Sequence, residues 1–393
     1  MKTSIIIALL VYLLLLGVSL VGAGFKIVSG GTEGALEIFA FASNPLVGVI
    51  LGVLATALVQ SSSTVSSVIV GLVAGGVPVS MAVPMIMGAN MGTTITNTIV
   101  SLGNLGDRTA FKRSFQAATV HDFFNLFSIF IFLPIEMLFK PLERSALALS
   151  ELLVDAGSAS PSNLNFVGAM TKPTTNFLTE LTSALPFSGY IAIVLGIGLI
   201  MASVILLGKV LQTRMTGKAR DILTYAVGRD PLTGVASGTA MTVLVQSSST
   251  TTSLVVPLAG AGVLTTKQVF PFTMGANIGT CITALLAATG ANQPEALQIA
   301  LVHLLYNVFG VVLFLVVPWL KTLPVRSAEW LGELTERNRA YALVYLLLVF
   351  FVLPGVVFGI TDLVDSGDLM NEGETEVISE TARELEEEDI QLE

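Results

Sequence analysis

Gln-Ser-Ser-Ser-Thr at residues 60–64 recurs unchanged at residues 246–250, 186 positions further along the 393-residue chain. Gly-Ala-Asn-Met-Gly-Thr at 88–93 recurs as Gly-Ala-Asn-Ile-Gly-Thr at 275–280, an offset of 187. The halves share a third pattern, His121 with Asn125 and His303 with Asn307. Three motifs in one order at nearly one spacing predict two homologous halves of about 100 residues each.

The composition places these halves in a membrane. The chain is 53% hydrophobic and 12% charged, whereas soluble domains are about 25% charged. No Asp, Glu, Lys or Arg occurs between Glu37 and Asp107, and none occurs between Asp230 and Lys267. A soluble surface needs charged groups, so these stretches indicate an all-α integral membrane protein. Several apolar segments are too short to cross a bilayer, which predicts re-entrant helical hairpins and discontinuous transmembrane helices.

The chain is therefore divided as follows: an N-terminal transmembrane helix in 1–34, preferred to a cleaved signal peptide; a first repeat in 35–141; a linker in 142–187; a transmembrane helix with a basic connector in 188–221; a second repeat in 222–320; a loop and last transmembrane helix in 321–362; and an acidic tail in 363–393. The formal net charge is −9, yet residues 366–393 hold eleven acidic residues and one basic residue. Such a composition predicts a disordered tail.

The duplicated Gln-Ser-Ser-Ser-Thr run is the candidate ligand site. Successive helical residues turn by about 100°, so the hydroxyls of one regular helix cannot all face one partner. At a helix break they can converge, together with freed backbone groups. The alternative is that these side chains join packed helices, a common use of Ser and Thr in membranes. An identical five-residue run in both halves favours ligand binding.

The second motif combines small residues with an amide. Gly88 and Gly92, like Gly275 and Gly279, have the spacing of close helix contacts. The asparagine inside each motif, Asn90 or Asn277, needs a polar partner in an apolar surround, and a bound ligand would supply one.

Asp122 is the carboxylate that falls near the centre of an apolar segment, and its counterpart in the second half is Leu304. A carboxylate within the membrane commonly serves an ion or a proton. The alternative is a buried pair with Lys112 or Arg113. His121 and His303 are interpreted as structural hydrogen-bonding groups.

The kinds of polar group in these motifs together suggest the ligand. Helix N-termini and backbone N–H groups bind anions, and hydroxyl and carbonyl oxygens suit hard cations. A site that offers both is expected to take an anion with a small cation, each offsetting the desolvation of the other. This logic does not separate phosphate from a dicarboxylate.

The chain resembles the type II sodium/phosphate cotransporter family. The resemblance covers about residues 25–360 and lies in both Gln-Ser-Ser-Ser-Thr runs, in PMIMGANMGTTITNTIVSL at 84–102, in GDRTAFKRSFQAATVHDFFN at 106–125 and in GANIGT at 275–280. It implies two inverted-topology repeats, a homodimer, and sodium-coupled import of HPO4²⁻ by alternating access. The short linker, without the large disulfide-bonded loop of animal members, suggests a bacterial inner (plasma) membrane protein.

The resemblance also implies the site residues. The expected phosphate ligands are Ser61, Ser62, Ser63, Asn90, Ser247, Ser248, Ser249 and Asn277. The expected sodium ligands are Gln60, Thr64, Thr93, Asp122, Gln246, Thr250 and Thr280. Electrogenic family members carry an Asp where this chain has Asp122, which predicts an extra sodium ion there. Gln116 departs from the family's first Ala in that stretch.

Three other functions compete with phosphate transport. The first is a sodium-coupled dicarboxylate or other anion transporter, and the second is a channel. The third is an intramembrane hydrolase, which the absence of a Gly-x-Ser-x-Gly elbow disfavours. We expect sodium as the co-transported ion, no organic cofactor, no enzymatic activity and no nucleic-acid partner. A single cysteine, Cys281, and two histidines make a zinc or haem site improbable.

Overall fold

The computed structural model describes residues 2–155, 161–227, 229–291 and 293–359. These residues are organised as helices, and no strand occurs among them. The predicted disordered tail lies outside the described residues. In chain order the helices are α1 (Lys2–Ser29), α2 (Thr32–Ile38), α3 (Pro45–Val59), α4 (Ser62–Ala74), α5 (Val79–Gly92), α6 (Ile95–Ser101), α7 (Arg108–Phe139), α8 (Pro141–Asp155), α9 (Pro161–Ser183), α10 (Ser188–Ala226), α11 (Pro231–Val245), α12 (Ser248–Gly260), α13 (Thr266–Ala291), α14 (Pro294–Val316), α15 (Pro318–Arg337) and α16 (Ala340–Leu347).

Six of the described helical segments are long and apolar enough to cross a membrane: Thr3–Ser29, Arg108–Phe139, Ser188–Val210, Thr266–Ala291, Pro294–Val316 and Ala340–Gly359. The helices Pro45–Val59, Ser62–Ala74 and Pro231–Val245 are apolar but shorter. A bilayer core of about 30 Å needs about 20 helical residues, so these three are too short for a straight crossing. The pattern fits a multi-pass integral membrane protein.

Side-chain caps explain where two of the helices begin. Asp107 precedes α7 and accepts hydrogen bonds from the backbone N–H groups of Ala110 and Thr109, at 3.0 and 2.8 Å. Those bonds favour the ionised carboxylate and lower the pKa of Asp107. Asp230 caps α11 in the same way, through the N–H of Thr233 at 2.9 Å. The first turn of a helix has no internal partners for its N–H groups, which these carboxylates supply.

Close contacts at glycine join α3 to α5 in the first half and α11 to α13 in the second half. A methyl group built on Gly88 of α5 would lie 1.9 Å from the Val49 carbonyl oxygen of α3. Its counterpart Gly275 of α13 lies equally close to the Val235 carbonyl oxygen of α11, at 2.0 Å. A side chain at either position would therefore force the backbones apart. The prediction that these glycines serve close helix packing is confirmed.

One apolar segment is divided into two helices, and one helix of the second half is broken in the first. Residues 65–87 form one apolar stretch, but the structure divides them between α4 and α5. The turn between them contains Gly76 at φ 121°, a conformation open to glycine. The halves also differ, because a break at Thr93 and Thr94 separates α5 from α6, whereas α13 runs through the equivalent position without interruption.

The two halves interlock instead of packing side by side. Helix α4 of the first half packs against α13 and α14 of the second, and α12 of the second half packs against α6 and α7 of the first. The N-terminal helix α1 packs along α10. The predicted linker contributes two helices, of which α8 packs on α14 and α9 on α1 and α13. The polar motifs of one half are thereby enclosed by the other.

Candidate functional site

Each Gln-Ser-Ser-Ser-Thr run forms a break between two helices. Gln60 ends α3 and Gln246 ends α11, and both adopt the left-handed conformation, with φ of 58° and 56°. This conformation is unfavourable for residues other than glycine, and the side-chain amides stabilise it. Gln60 Nε2 donates to the Ala57 carbonyl, and Gln60 Oε1 accepts from Thr96 Oγ1 at 2.7 Å.

The second break repeats these bonds. Gln246 Nε2 donates to the Val243 carbonyl at 2.6 Å, and Gln246 Oε1 accepts from Thr283 Oγ1 at 3.0 Å. Thr283 occupies the position equivalent to Thr96. The predicted sodium ligands Gln60 and Gln246 therefore hold the breaks in shape, and each amide oxygen already accepts one hydrogen bond.

The first serine of each run caps the helix that follows. Ser61 Oγ accepts from the Thr64 N–H at 3.2 Å, and Ser247 Oγ accepts from the Thr250 N–H at 3.1 Å. The two hydroxyls of each pair also lie 2.9 Å apart. Ser61 and Ser247 are thus partly occupied by capping, and so are the predicted sodium ligands Thr64 and Thr250.

The next two serines of each run are buried and available. Ser62 and Ser63 begin α4, and Ser248 and Ser249 begin α12. All four are buried, yet none of their hydroxyls has a hydrogen-bond partner among the described residues. The first N–H groups of a helix have no internal acceptor either. Each break therefore presents two hydroxyls and two backbone donors, an arrangement suited to an oxyanion.

The third motif of each half clasps the second motif of the other half. In one clasp, Asn90 Nδ2 donates to Asn307 Oδ1 at 2.9 Å, and Asn90 Oδ1 lies 3.1 Å from His303 Nε2. In the other clasp, Asn277 Nδ2 donates to Asn125 Oδ1 at 2.8 Å, and Asn277 Oδ1 lies 2.7 Å from His121 Nε2. All these side chains are buried. We call the two groups the crossed clasps.

The crossed clasps bear on two predicted phosphate ligands. The amides of Asn90 and Asn277 are satisfied by protein groups, so a ligand could reach them only if a clasp opened. The interpretation of His121 and His303 as hydrogen-bonding groups matches their positions here. Asn125 and Asn307 were recognised in the sequence as part of the repeat, but their partners lie 152 and 217 residues away.

Asp122 lies in a pocket of hydroxyl groups. Its Oδ2 atom accepts from the Tyr345 hydroxyl at 2.8 Å and from Thr98 Oγ1 at 3.5 Å. The hydroxyl of Thr94 also lies near the carboxylate, and it donates to the Met91 carbonyl at 2.8 Å. Its Oδ1 atom is buried and has no partner within the described part of the chain. The sequence reasoning missed all three hydroxyl residues, because none belongs to a motif shared by the halves.

The proposed basic partner of Asp122 is engaged elsewhere. Lys112 Nζ lies 2.7 Å from Glu336 Oε2, so the alternative that Lys112 pairs with Asp122 is wrong. Arg113 lies beside Gly262, where its guanidinium would meet an added methyl group. No ion pair involving Asp122 occurs among the described residues. A small cation would supply the missing partner.

Part of the polar environment of Asp122 comes from residues that the first half carries and the second half lacks. Thr94, Asn97, Thr98 and Ser101 of the first half align with Cys281, Ala284, Leu285 and Ala288 of the second. The first half is also the one whose helix is broken, at Thr93 and Thr94. The asymmetry around Asp122 and Leu304 therefore extends to a whole polar face.

The remaining predicted sodium ligands bond within their own helices. Thr93 Oγ1 donates to the Ala89 carbonyl at 3.2 Å, and Thr280 Oγ1 donates to the Ala276 carbonyl at 3.1 Å. A hydroxyl that donates its proton keeps oxygen lone pairs for a cation. Within the described ranges, no cluster of three or more His, Cys, Asp or Glu residues could hold a metal ion. Apart from the Asp122 carboxylate, the cation ligands that these residues provide are hydroxyl and carbonyl oxygens.

Comparison with known proteins identifies relatives over most of the chain. The family model described as Na+/Pi-cotransporter matches residues 13–154 and 199–327. Sodium-dependent phosphate transport protein 2A of Rattus norvegicus is 33% identical, covering 89% of this chain and 66% of the relative. The 2A protein of Mus musculus is 33% identical over 92% and 68%, and the 2B protein of Homo sapiens is 31% identical over 89% and 64%. The chain thus spans about two thirds of the length of these relatives. No solved structure matches it.

Proposed function

The chain belongs to the Na+/Pi-cotransporter family, and from that premise we propose that it imports inorganic phosphate together with sodium by alternating access. The family is one of transporters, and the relatives are named as sodium-dependent phosphate transport proteins. The observation that carries the proposal is the pair of helix breaks with buried, unengaged hydroxyls. Two such breaks at matching places in two repeats are typical of secondary transporters with a central site.

The phosphate would be held by the serines of both breaks. Ser62 and Ser63 provide hydroxyls and helix N-terminal N–H groups from the first half, and Ser248 and Ser249 provide the same from the second. A doubly charged phosphate accepts many hydrogen bonds, so donors from both breaks together suit it better than one set alone. Ser61 and Ser247 would contribute by shaping the breaks and could turn one hydroxyl toward the ligand. Asn90 and Asn277 would join only on opening of a crossed clasp.

The sodium ions would be held by oxygen atoms around these breaks. Gln60, Thr64 and Thr93 in the first half, with Gln246, Thr250 and Thr280 in the second, supply amide and hydroxyl oxygens, which are suitable ligands for a hard cation. Two sodium ions would balance the charge of HPO4²⁻. A further ion at Asp122, coordinated by Oδ1 and neighbouring hydroxyls, would leave one net positive charge moving inward. Transport is therefore proposed to be electrogenic.

The proposed assembly and location are those that the resemblance to the family implies. We propose that two chains form a homodimer in a cell membrane, the inner (plasma) membrane of a bacterium, and that each protomer transports independently. Two inverted repeats with re-entrant hairpins are proposed for each protomer. The three apolar helices that are too short to cross the bilayer support this arrangement, because α3, α4 and α11 flank the two breaks.

Uptake into proteoliposomes tests the proposal. Purified protein is reconstituted, and radiolabelled phosphate is added outside with an inward sodium gradient or with potassium in its place. Saturable uptake that requires sodium is expected. Uptake abolished by excess succinate, with labelled succinate itself accumulating, would assign the protein to dicarboxylates instead. Phosphate flux that is independent of the sodium gradient and does not saturate would indicate a channel.

A further inference from the structure

The last helical segment is peripheral and contributes few polar side chains. The segment Ala340–Gly359 is mostly exposed at the outside of the structure, where lipid would surround it. Its polar side chains are those of Tyr341 and Tyr345. Tyr341 is 47% exposed, whereas Tyr345 points inward. A helix that is otherwise apolar on all sides therefore meets the protein interior through one polar group.

The Tyr345 side chain reaches from this helix to Asp122. The two residues are 223 positions apart, and the hydroxyl donates to Asp122 Oδ2 at 2.8 Å. The ring packs edge-on against Phe115 at 6.0 Å and lies 6.1 Å from Phe123, both on α7. A π-helical turn at Leu348–Val352 begins three residues after Tyr345. Such turns are rare and frequently lie at functional sites.

The hydrogen bond from Tyr345 makes the two oxygens of the Asp122 carboxylate different. Oδ2 is taken by Tyr345 and Thr98, whereas Oδ1 is buried without a partner in the described chain. A carboxylate with no fixed hydrogen bond can rotate and present either oxygen. Hydrogen bonds from surrounding groups orient a ligand carboxylate and tune its affinity for a cation.

We infer that Tyr345 is a positioning residue for sodium, which holds Asp122 by Oδ2 so that Oδ1 faces the ion. The inference rests on the proposed function, because it assigns Asp122 to a sodium site. It adds that this site, although embedded in the first half, is completed by a helix outside both repeats. The docking of α16 and the binding of sodium are therefore coupled, and displacement of α16 would weaken the site.

The experiment compares Tyr345→Phe with Tyr341→Phe. The first variant keeps the ring against Phe115 and Phe123 and removes the hydroxyl, and the second removes an exposed hydroxyl from the same helix. Two quantities are measured: the sodium concentration that gives half-maximal phosphate-dependent current in proteoliposomes, and the rise in melting temperature on adding sodium chloride, compared with potassium chloride, to detergent-solubilised protein without phosphate.

We expect Y345F to need about tenfold more sodium, because a hydrogen bond to a charged group contributes on that scale. Its sodium-induced melting shift should shrink accordingly, whereas Y341F should behave as the unmodified protein. Asp122→Asn is expected to carry no net current, so in that background the sodium dependence of labelled-phosphate uptake is measured instead, and adding Y345F should cause no further change in it. This last result would show that the hydroxyl acts through the carboxylate.

Several outcomes would overturn the inference. One is a Y345F protein with unchanged sodium dependence and melting shift. Another is a Y345F protein that unfolds irrespective of sodium, which would assign the hydroxyl to helix docking alone. Failure of the proposed function looks different, because the unmodified protein would then show no sodium-dependent phosphate uptake. In that case a sodium-induced melting shift that Y345F lowers would still support the positioning role.

Discussion

Ser62 and Ser248 belong to the repeated motif and are proposed to bind phosphate. Each is the first residue of a helix, is buried, and carries a hydroxyl without a partner among the described residues. A hydroxyl of a buried residue that has no protein partner depends on water or a ligand for its hydrogen bonds. Its presence at the same place in both halves is physically reasonable if a ligand supplies the missing bonds, and this is the basis of the first prediction.

Ser62→Ala and Ser248→Ala should each reduce sodium-driven phosphate uptake to background while the protein stays folded. The substitution removes a hydroxyl that bonds to no group in the described part of the chain, so the melting temperature should change by no more than a few degrees. Ser67→Ala is the matched control, since Ser67 lies in the same helix and its hydroxyl donates to the Ser63 carbonyl at 2.7 Å. Normal uptake by either test variant would contradict the proposed phosphate site.

Asp122→Gly should uncouple charge movement from phosphate uptake. The variant loses the carboxylate proposed to bind the additional sodium, so uptake of labelled phosphate should continue without net inward current. Asp122→Asn, which keeps the size of the side chain, should behave in the same way. Current and uptake are recorded on the same liposome preparation. A persisting current with a normal charge-to-phosphate ratio would remove Asp122 from the sodium pathway.

At the scale of elements, paired helices are joined by backbone contact at glycine. Gly88→Ala should destabilise the protein by about 1–3 kcal/mol or more, because the added methyl group would overlap the Val49 carbonyl and force α3 from α5. Gly103→Ala is the control, since nothing lies within 4 Å of its added methyl group. The melting temperatures of the Gly88→Ala and Gly103→Ala variants are compared in detergent. Equal melting temperatures would show that α3 and α5 are less closely packed than described.

The crossed clasps also join helices of the two halves. A double-mutant cycle can test that each clasp forms between the halves. Asn90→Ala and His303→Ala should be coupled by at least about 1 kcal/mol, because the side chains are hydrogen-bonded partners. Coupling between Asn90→Ala and His121→Ala, which belong to the same half and to different clasps, should be smaller. Unfolding free energies or melting temperatures provide the measurement. The reverse ranking would mean that the clasps form within each half.

At the scale of the whole molecule, the halves hold each other through packed helices and buried hydrogen bonds. A specific protease site inserted between residues 155 and 161 would divide the chain between α8 and α9. After cleavage the two fragments should remain together in detergent, because α4 packs on α13 and α14 while α12 packs on α6 and α7. Affinity purification through a tag on one fragment shows whether the other fragment is recovered with it. Recovery of the tagged fragment alone would show that the covalent link is what unites the halves.

Much of this architecture was readable in the sequence. The scarcity of charge indicated the membrane class, and the repeated motifs located both helix breaks and the close glycine contacts. These features depend on neighbours along the chain: a run of apolar residues, a capping serine, a glycine at a fixed spacing. The apolar stretch 65–87 is likewise divided by a local feature, the turn at Gly76.

The partners of the polar groups were decided by the tertiary structure alone. The two asparagine motifs are nearly identical, and the two histidine motifs share their His and Asn, so the sequence cannot tell whether a clasp forms within a half or between halves. The sequence offered Lys112 as a partner for Asp122, yet Lys112 meets Glu336, and Asp122 meets Tyr345. Which side chains meet depends on how the helix faces pack, and that is settled jointly by residues more than 150 positions apart.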